Sequence, residues 1–191
     1  MTKSTDSPPR VRELLDADWA RFTAYLGQPG RPRRWRSHFA PRFLPVALIR
    51  WSAGCEKAGW HRLAQALAMV NFIIFGLEVP TRAQIGPGLV LMHTQGTVLG
   101  AAVIGRNATI YQQVTLGARE ADFFFNPATR PTIGDDVTLT AGAKIIGPVT
   151  IGNGALVAAN AVVIHDVPAG AVAAGVPAVA RMRVASAEAH T

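Results

Sequence analysis

Hydrophobic patterning divides the chain into two parts near residue 76. In the first part apolar residues recur at helical spacing. Val11, Leu14, Leu15, Trp19 and Phe22 predict a helix over residues 11–26. The segment Gln28-Pro29-Gly30-Arg31-Pro32 ends it. A second helix is expected across 43–58 and a third across 60–75, with Gly59 between them. In the third, Leu63, Leu67, Val70 and Ile74 fall on one face. Residues 1–10 are polar, contain two prolines and are expected to be disordered.

From about residue 78 a six-residue apolar period replaces the helical one. Ile133, Leu139, Ile145, Ile151, Val157 and Val163 are all large aliphatics. Leu, Ile and Val fill 43 of 191 positions, so six hits in register have a chance probability of roughly one in ten thousand. Four residues further on runs a column of smaller residues: Val137, Ala143, Val149, Ala155, Ala161 and Val167. Upstream the large column continues through Ile104, Ile110 and Leu116, then Ile85 and Leu91 after a slip of one residue near Val98. Neither a 3.6-residue helix nor a two-residue strand alternation fits this period. A solenoid does, if the chain turns a corner every six residues and aims one large residue inward per side. Gly134 and Gly152 are 18 residues apart, which makes three sides per coil, stacked through parallel strand hydrogen bonds. Four to five coils are expected. The interval from Leu116 to Ile133 is too long for one side and must extrude a loop over 117–132, carrying Phe123, Phe124 and Phe125.

Composition narrows the class without changing this picture. The chain is 49% hydrophobic and 16% charged with a mean hydropathy of +0.21, which excludes a disordered protein. A single cysteine, Cys55, excludes an internal disulfide framework and suits a reducing compartment. The longest uncharged run, Leu63–Leu77, has 15 residues, short of the roughly 18–20 that cross a bilayer. MTKSTDSPPR lacks the apolar stretch of a signal peptide, so a cytoplasmic location is expected. Charge is uneven: residues 1–75 hold 12 Lys/Arg against 5 Asp/Glu, and residues 76–191 hold 7 against 7. Arg31, Arg33, Arg34, Arg36 and Arg42 lie in one acid-free stretch, either a patch for an anionic partner or a solvated basic face. No zinc-finger spacing or aromatic-interleaved platform points to nucleic acid.

The segments EVPTRAQIGPGLVLMHTQGTVLG, ATIYQQVTLG and RPTIGDDVTLTAGAKIIGPVTIGNGALVAANAVVIHDVPAGAVAAGVPA together resemble the hexapeptide-repeat acyltransferases, and within them the serine O-acetyltransferases. The resemblance covers Glu78 to Ala180 closely and the preceding helices only in layout. It implies a mostly β protein: a left-handed parallel β-helix over 76–180, preceded by a small α-helical segment over 1–75 and followed by a tail over 181–191. It also implies acetyl-CoA as co-substrate, a homotrimer with sites in grooves between subunits, and in longer relatives a dimer of trimers.

His93 matches the family's catalytic histidine. Acetyl transfer to a hydroxyl needs a base for the hydroxyl proton, and imidazole titrates near neutral pH. Glu78 stands where the family places an aspartate that orients this histidine. Two departures touch the acceptor. Met92 replaces a carboxylate that pairs with the ammonium of serine, and Thr129-Arg130 replaces an Arg-His pair. Arg130 retains a guanidinium able to hold a carboxylate, whereas Met92 cannot hold an ammonium. A sugar or polysaccharide hydroxyl therefore competes with serine as the acceptor, and poor activity on free L-serine is expected. By family position Gly117, Ala141 and Ala159 line the path of acetyl-CoA. Lys144, or Arg181 and Arg183, are candidates for its phosphates. No metal is expected, since only His93 and His165 of the five histidines lie in the solenoid. A non-catalytic trimeric scaffold is a third reading, opposed by His93.

Overall fold

The computed structural model describes residues 9–122 and 124–182. Three helices come first: α1 (Val11–Tyr25), α2 (Leu44–Lys57) and α3 (His61–Phe75), with a 3-10 turn at Trp35–Phe39. Fourteen short strands then wind into coils: β1 (Leu77–Glu78), β2 (Gln84–Ile85), β3 (Val90–Leu91), β4 (Thr97–Leu99), β5 (Val103–Ile104), β6 (Thr109–Ile110), β7 (Thr115–Gly117), β8 (Thr132–Ile133), β9 (Thr138–Leu139), β10 (Lys144–Ile146), β11 (Thr150–Ile151), β12 (Leu156–Val157), β13 (Val162–Val163) and β14 (Ala171–Gly175). A fifteenth, β15 (Ala178–Met182), turns back antiparallel on β14.

Every third strand joins the same sheet as far as β13; β14 then pairs with β12, because the side between β13 and β14 is only a single bridge from Ile151 to Val167. The orders are β1-β4-β7-β10-β13, β2-β5-β8-β11 and β3-β6-β9-β12-β14-β15, and all pairings except the last are parallel. The result is the three-sided parallel β-helix expected from the six-residue period. Ile133, Leu139, Ile145, Ile151, Val157 and Val163 are all buried, as is the whole second column. One large side chain per side, each contributing about 1.5–3 kcal/mol on burial, fills the prism. Corners take the left-handed backbone conformation at Asn107, Gln113, Asp136 and Asn160 and at several glycines. At Gly142 a side chain is doubly excluded, since φ is +74° and a Cβ would lie 2.0 Å from Asn160 Oδ1.

Two irregularities depart from the 18-residue coil. In the second sheet the register advances 19 residues from Gln84 to Val103, 29 to Thr132 and 18 to Thr150. The long step is the extruded loop. The other lies at the expected slip: Leu99, not Val98, points inward. Eight positions separate Leu91 from Leu99, against six from Ile110 to Leu116, so the corner between them is lengthened. His93 stands on that corner.

The helices cap the open first coil. Asp18 and Arg50 form a buried ion pair at 2.8 Å. Asp18 Oδ1 also accepts from the Leu89 amide (2.8 Å), and Arg50 donates to the carbonyls of Ile85 and Gly86, each at 2.6 Å. Burial pushes the Asp18 carboxyl above its ordinary pKa, against the pull of Arg50 and the Leu89 amide. Arg21 of α1 donates to the carbonyls of Gly88 (2.7 Å) and Ala108 (2.9 Å). The predicted apolar face of α3 does not face the core. Leu63, Val70 and Ile74 are exposed, and the helix packs instead through buried Ala64 and Asn71. The Ala64 carbonyl accepts from Ser52 Oγ (2.9 Å), and Asn71 Nδ2 donates to the Pro45 carbonyl (3.0 Å). Small and hydrogen-bonding residues allow closer helix approach than the aliphatic face does.

Asp18→Ala leaves Arg50 charged and buried, so chemical denaturation is expected to show a loss of about 3–5 kcal/mol. Arg12→Ala, at an exposed pair 3.9 Å from Asp16, is expected to change stability by less than about 1 kcal/mol.

Candidate active site

His93 is exposed on the lengthened corner between β3 and β4, with no side-chain hydrogen bond among the described residues. It lines a cavity of about 160 Å³ with Met92, Thr94 and Gln95, and the cap supplies the opposite wall through Pro41, Arg42 and Pro45. Continuing the register of β6, β9 and β12 stacks Gln112 on Ala141 and then Ala159, on the corner where His93 stands one coil earlier. Three of the predicted site residues thus share one edge of the prism. Gln112 was not singled out from the sequence. Its Oε1 is buried without a hydrogen-bond partner among the described residues, an acceptor one coil from the histidine, and no sequence pattern marks it.

Glu78, Gly117 and Arg130 come together elsewhere. They line a groove of about 710 Å³ between α3 and the first sheet, with Phe72, Val98 and Phe125. Glu78 is exposed on the flat of this sheet, paired in register with Val98. It makes no hydrogen bond to His93 among the described residues, because one residue lies on a face and the other on an edge. At Gly117 an added Cβ would meet nothing within 4 Å, and its backbone is outside the left-handed region. Neither strain nor crowding within this chain requires glycine there. Lys144, on β10 of the same sheet, donates to the Gln113 carbonyl. Arg181 lies on β15, while Arg183 falls outside the described residues.

Arg130 is largely committed to the extruded loop. Its Nε donates to Asp122 Oδ2 (2.8 Å), one terminal nitrogen to the Gly100 carbonyl (2.9 Å) and the other to the Asp122 carbonyl (3.1 Å). Its guanidinium lies 4.3 Å from the centre of the Phe125 ring. Phe124 is exposed and Phe123 lies outside the described residues. Burial opposes ionisation of Asp122, yet the hydrogen bonds from Arg130 and the Asn126 amide hold its carboxyl below the ordinary 3.8. His165 is exposed, His61 pairs with Glu56 at 3.1 Å and His38 stacks on Trp51. No three His, Cys, Asp or Glu side chains converge among the described residues, nor is any described helix long and apolar enough to cross a membrane.

Coils of six-residue sides, capped by helices and bearing an edge histidine, define a hexapeptide-repeat acyltransferase. The family model "Bacterial transferase hexapeptide (six repeats)" matches residues 130–165. The chain is 32% identical over 167 residues to a serine acetyltransferase of Helicobacter pylori, covering 86% of this chain and 96% of that one. It is 40% identical over 158 residues to a serine acetyltransferase of Mycobacterium tuberculosis, covering 77% and 68%. A solved serine acetyltransferase in complex with CoA superposes with a TM-score of 0.75 at 27% identity, covering 90% of this chain and 69% of that one. The chain belongs to the serine acetyltransferase family and is an acyltransferase.

The Asp122 clamp gives a pH-dependent expectation. A carboxyl with a lowered folded pKa adds stability above its unfolded value, and that contribution is lost as pH falls through the lowered one. Amide exchange in residues 118–131 is therefore expected to quicken relative to the strands below about pH 3.8. Asp122→Asn is expected to produce the same loosening at neutral pH, with the strand amides unchanged.

Proposed function

We propose that this chain transfers an acetyl group from acetyl-CoA to an acceptor hydroxyl, with His93 as the general base. The observation that carries the reading is the placement of His93, which is solvent-accessible, on a lengthened corner and walled by the cap; the sequence resemblance to the family's catalytic histidine supports it. His93 takes the hydroxyl proton as the oxygen attacks the thioester carbonyl. The new C–O bond forms, the C–S bond breaks, and the proton passes to the departing thiolate. Gly117 and the small Ala141 and Ala159 leave the backbone open to a pantetheine arm, and Lys144, three residues after Ala141, is a cation for a CoA phosphate.

The assembly belonging to this reading is a homotrimer of prisms in a cytoplasmic setting. One chain separates His93 from the groove holding Glu78, Gly117 and Arg130. Packing edge against groove unites the half-sites of neighbouring copies, and buries Met69 and Phe72, the exposed apolar residues of α3 that line the groove. In such a site Glu78 fixes the imidazole tautomer.

L-serine is the acceptor that the relatives' names bring to the chain. A sugar hydroxyl is a second reading, favoured by Met92 and by a His93 cavity whose walls include Arg42 and no carboxylate. Within one chain a free ammonium in that cavity goes unpaired, at a cost of several kcal/mol.

His93→Ala is expected to lower turnover in a thiol-release assay by roughly 10²–10⁴-fold, with the binding of acetyl-CoA retained. Near wild-type turnover would overturn the mechanism. On the second reading, kcat/KM for L-serine falls below about 10⁴ M⁻¹s⁻¹, the lower end of ordinary enzyme efficiency, and Met92→Asp raises it.

A further inference from the structure

Arg31, Arg34, Arg36 and Arg42 line a cleft of about 550 Å³ with Trp19 and Phe22 beneath. No carboxylate of the described residues lines this cleft. The acidic groups of the described cap are engaged elsewhere. Asp16 pairs with Arg33, Asp18 with Arg50, and Glu56 with His61 and Arg82, while Glu13 accepts from the Arg10 amide. None of the four cleft arginines is in an ion pair among the described residues.

The arginine segment is also held in place. Trp19 Nε1 donates to the Arg31 carbonyl at 2.9 Å, Arg33 Nε to Asp16 at 2.8 Å, and Arg31 Nη1 to Gln28 Oε1 at 2.7 Å. An ordered concentration of like charge in a concave site raises the local affinity for anions. The second observation is position: Pro41 and Arg42 wall both this cleft and the cavity of His93. The arginine cleft and the cavity of His93 thus have two wall residues in common.

We propose that the acceptor is an anionic saccharide, whose carboxylate or phosphate is held by the arginine cleft while one of its hydroxyls reaches His93. This rests on the reading of His93 as the acetyl-transfer site. Guanidinium forks match carboxylate and phosphate oxygens in pairs. Phe22, half-buried at the base of the cleft, adds an apolar contact for the C–H face of a sugar ring. Met92 belongs to the same logic, since an ammonium next to unpaired guanidiniums is repelled. The volume and the neighbouring histidine favour a small ligand that reacts over a polymer that merely docks.

The test uses the full chain and its Arg34→Gln/Arg36→Gln variant in thiol-release assays. D-glucuronate, D-glucose 1-phosphate, D-glucose and L-serine serve as acceptors. The unmodified chain is expected to prefer glucuronate or glucose 1-phosphate to glucose by tenfold or more in kcat/KM, and the preferred one identifies the source of the charge. In the variant, KM for that acceptor is expected to rise roughly tenfold, the scale of lost charge-assisted hydrogen bonds. The KM for acetyl-CoA and the kinetics on glucose stay within about twofold. A preference for glucose, or for L-serine unaffected by the substitutions, overturns the proposal. So does a rise in the KM for acetyl-CoA alone, which would give the cleft to the CoA phosphates. Calorimetric binding of glucuronate and glucose 1-phosphate to His93→Ala separates the two readings. Arginine-dependent binding without acetyl transfer by the unmodified chain leaves the anion site standing and sinks the role of His93. No binding of either probe sinks the anion site.

Discussion

The buried pair between Asp18 and Arg50 joins the two halves of this molecule. A β-helix has an unavoidable weakness at its ends, where a coil presents backbone donors and acceptors with no neighbour to take them. Here the first coil is closed by side chains. Asp18 takes the Leu89 amide, Arg50 takes the carbonyls of Ile85 and Gly86, and the two charges neutralise each other at 2.8 Å. Each partner thus has more than one hydrogen bond, the condition under which burying a charge pair is tolerable. Arg21 repeats the device one turn along α1, on the carbonyls of Gly88 and Ala108. These contacts fix the middle of α2 against the first coil, and Pro41, Arg42 and Pro45 at and before its start wall the cavity of His93.

Much of the solenoid was legible in the sequence because its physics is periodic. A position that must hold one large aliphatic per side leaves a six-residue trace, and each of the six residues from Ile133 to Val163 is buried. The extruded loop was legible for the same reason, as a break in that trace. The slip near Val98 was visible too, but its meaning was not. Only the register shows that the added length lies in the corner carrying His93 and that Leu99 takes the inward place. The face of α3 misled because amphipathic spacing says which residues share a side, not which side faces inward. Ala64 and Asn71 are inconspicuous in a pattern of large aliphatics, yet they make the contact with α2.

The candidate site was legible residue by residue and illegible as an arrangement. His93, Ala141 and Ala159 share an edge, which follows from 18-residue coils once the corner and the loop are allowed for. Glu78 lies only 15 positions before His93 in the sequence. Nearness in sequence is a poor guide in a coil of this length, since 15 residues carry the chain most of the way around the prism, from a face to an edge. Arg130 illustrates the converse. Its guanidinium was expected to be free for a ligand, and three of its donor atoms are taken by Asp122 and Gly100. An arginine beside an extruded loop has nearby backbone carbonyls to satisfy, and local hydrogen bonds of that kind leave no signature in residue spacing.

The charge distribution ties the cap to the chemistry. A basic segment of a soluble domain is ordinarily interleaved with acids, because unpaired like charges repel. In this cap the acids are spent on architecture: Asp18 on the first coil, Asp16 on the orientation of Arg33, Glu56 on His61 and Arg82. The excess of positive charge is what that expenditure leaves behind, and it is left on the side of the cap that reaches the histidine. Met92 stands on the same wall, offering no anion that would draw Arg42 away. A carboxylate at position 92 has two natural partners there, an incoming ammonium or the resident guanidinium, and it serves the first only if the second is absent. The methionine and the arginines are therefore one electrostatic choice rather than two independent substitutions. On the proposed reading, that choice makes the acceptor side a compartment for an anion.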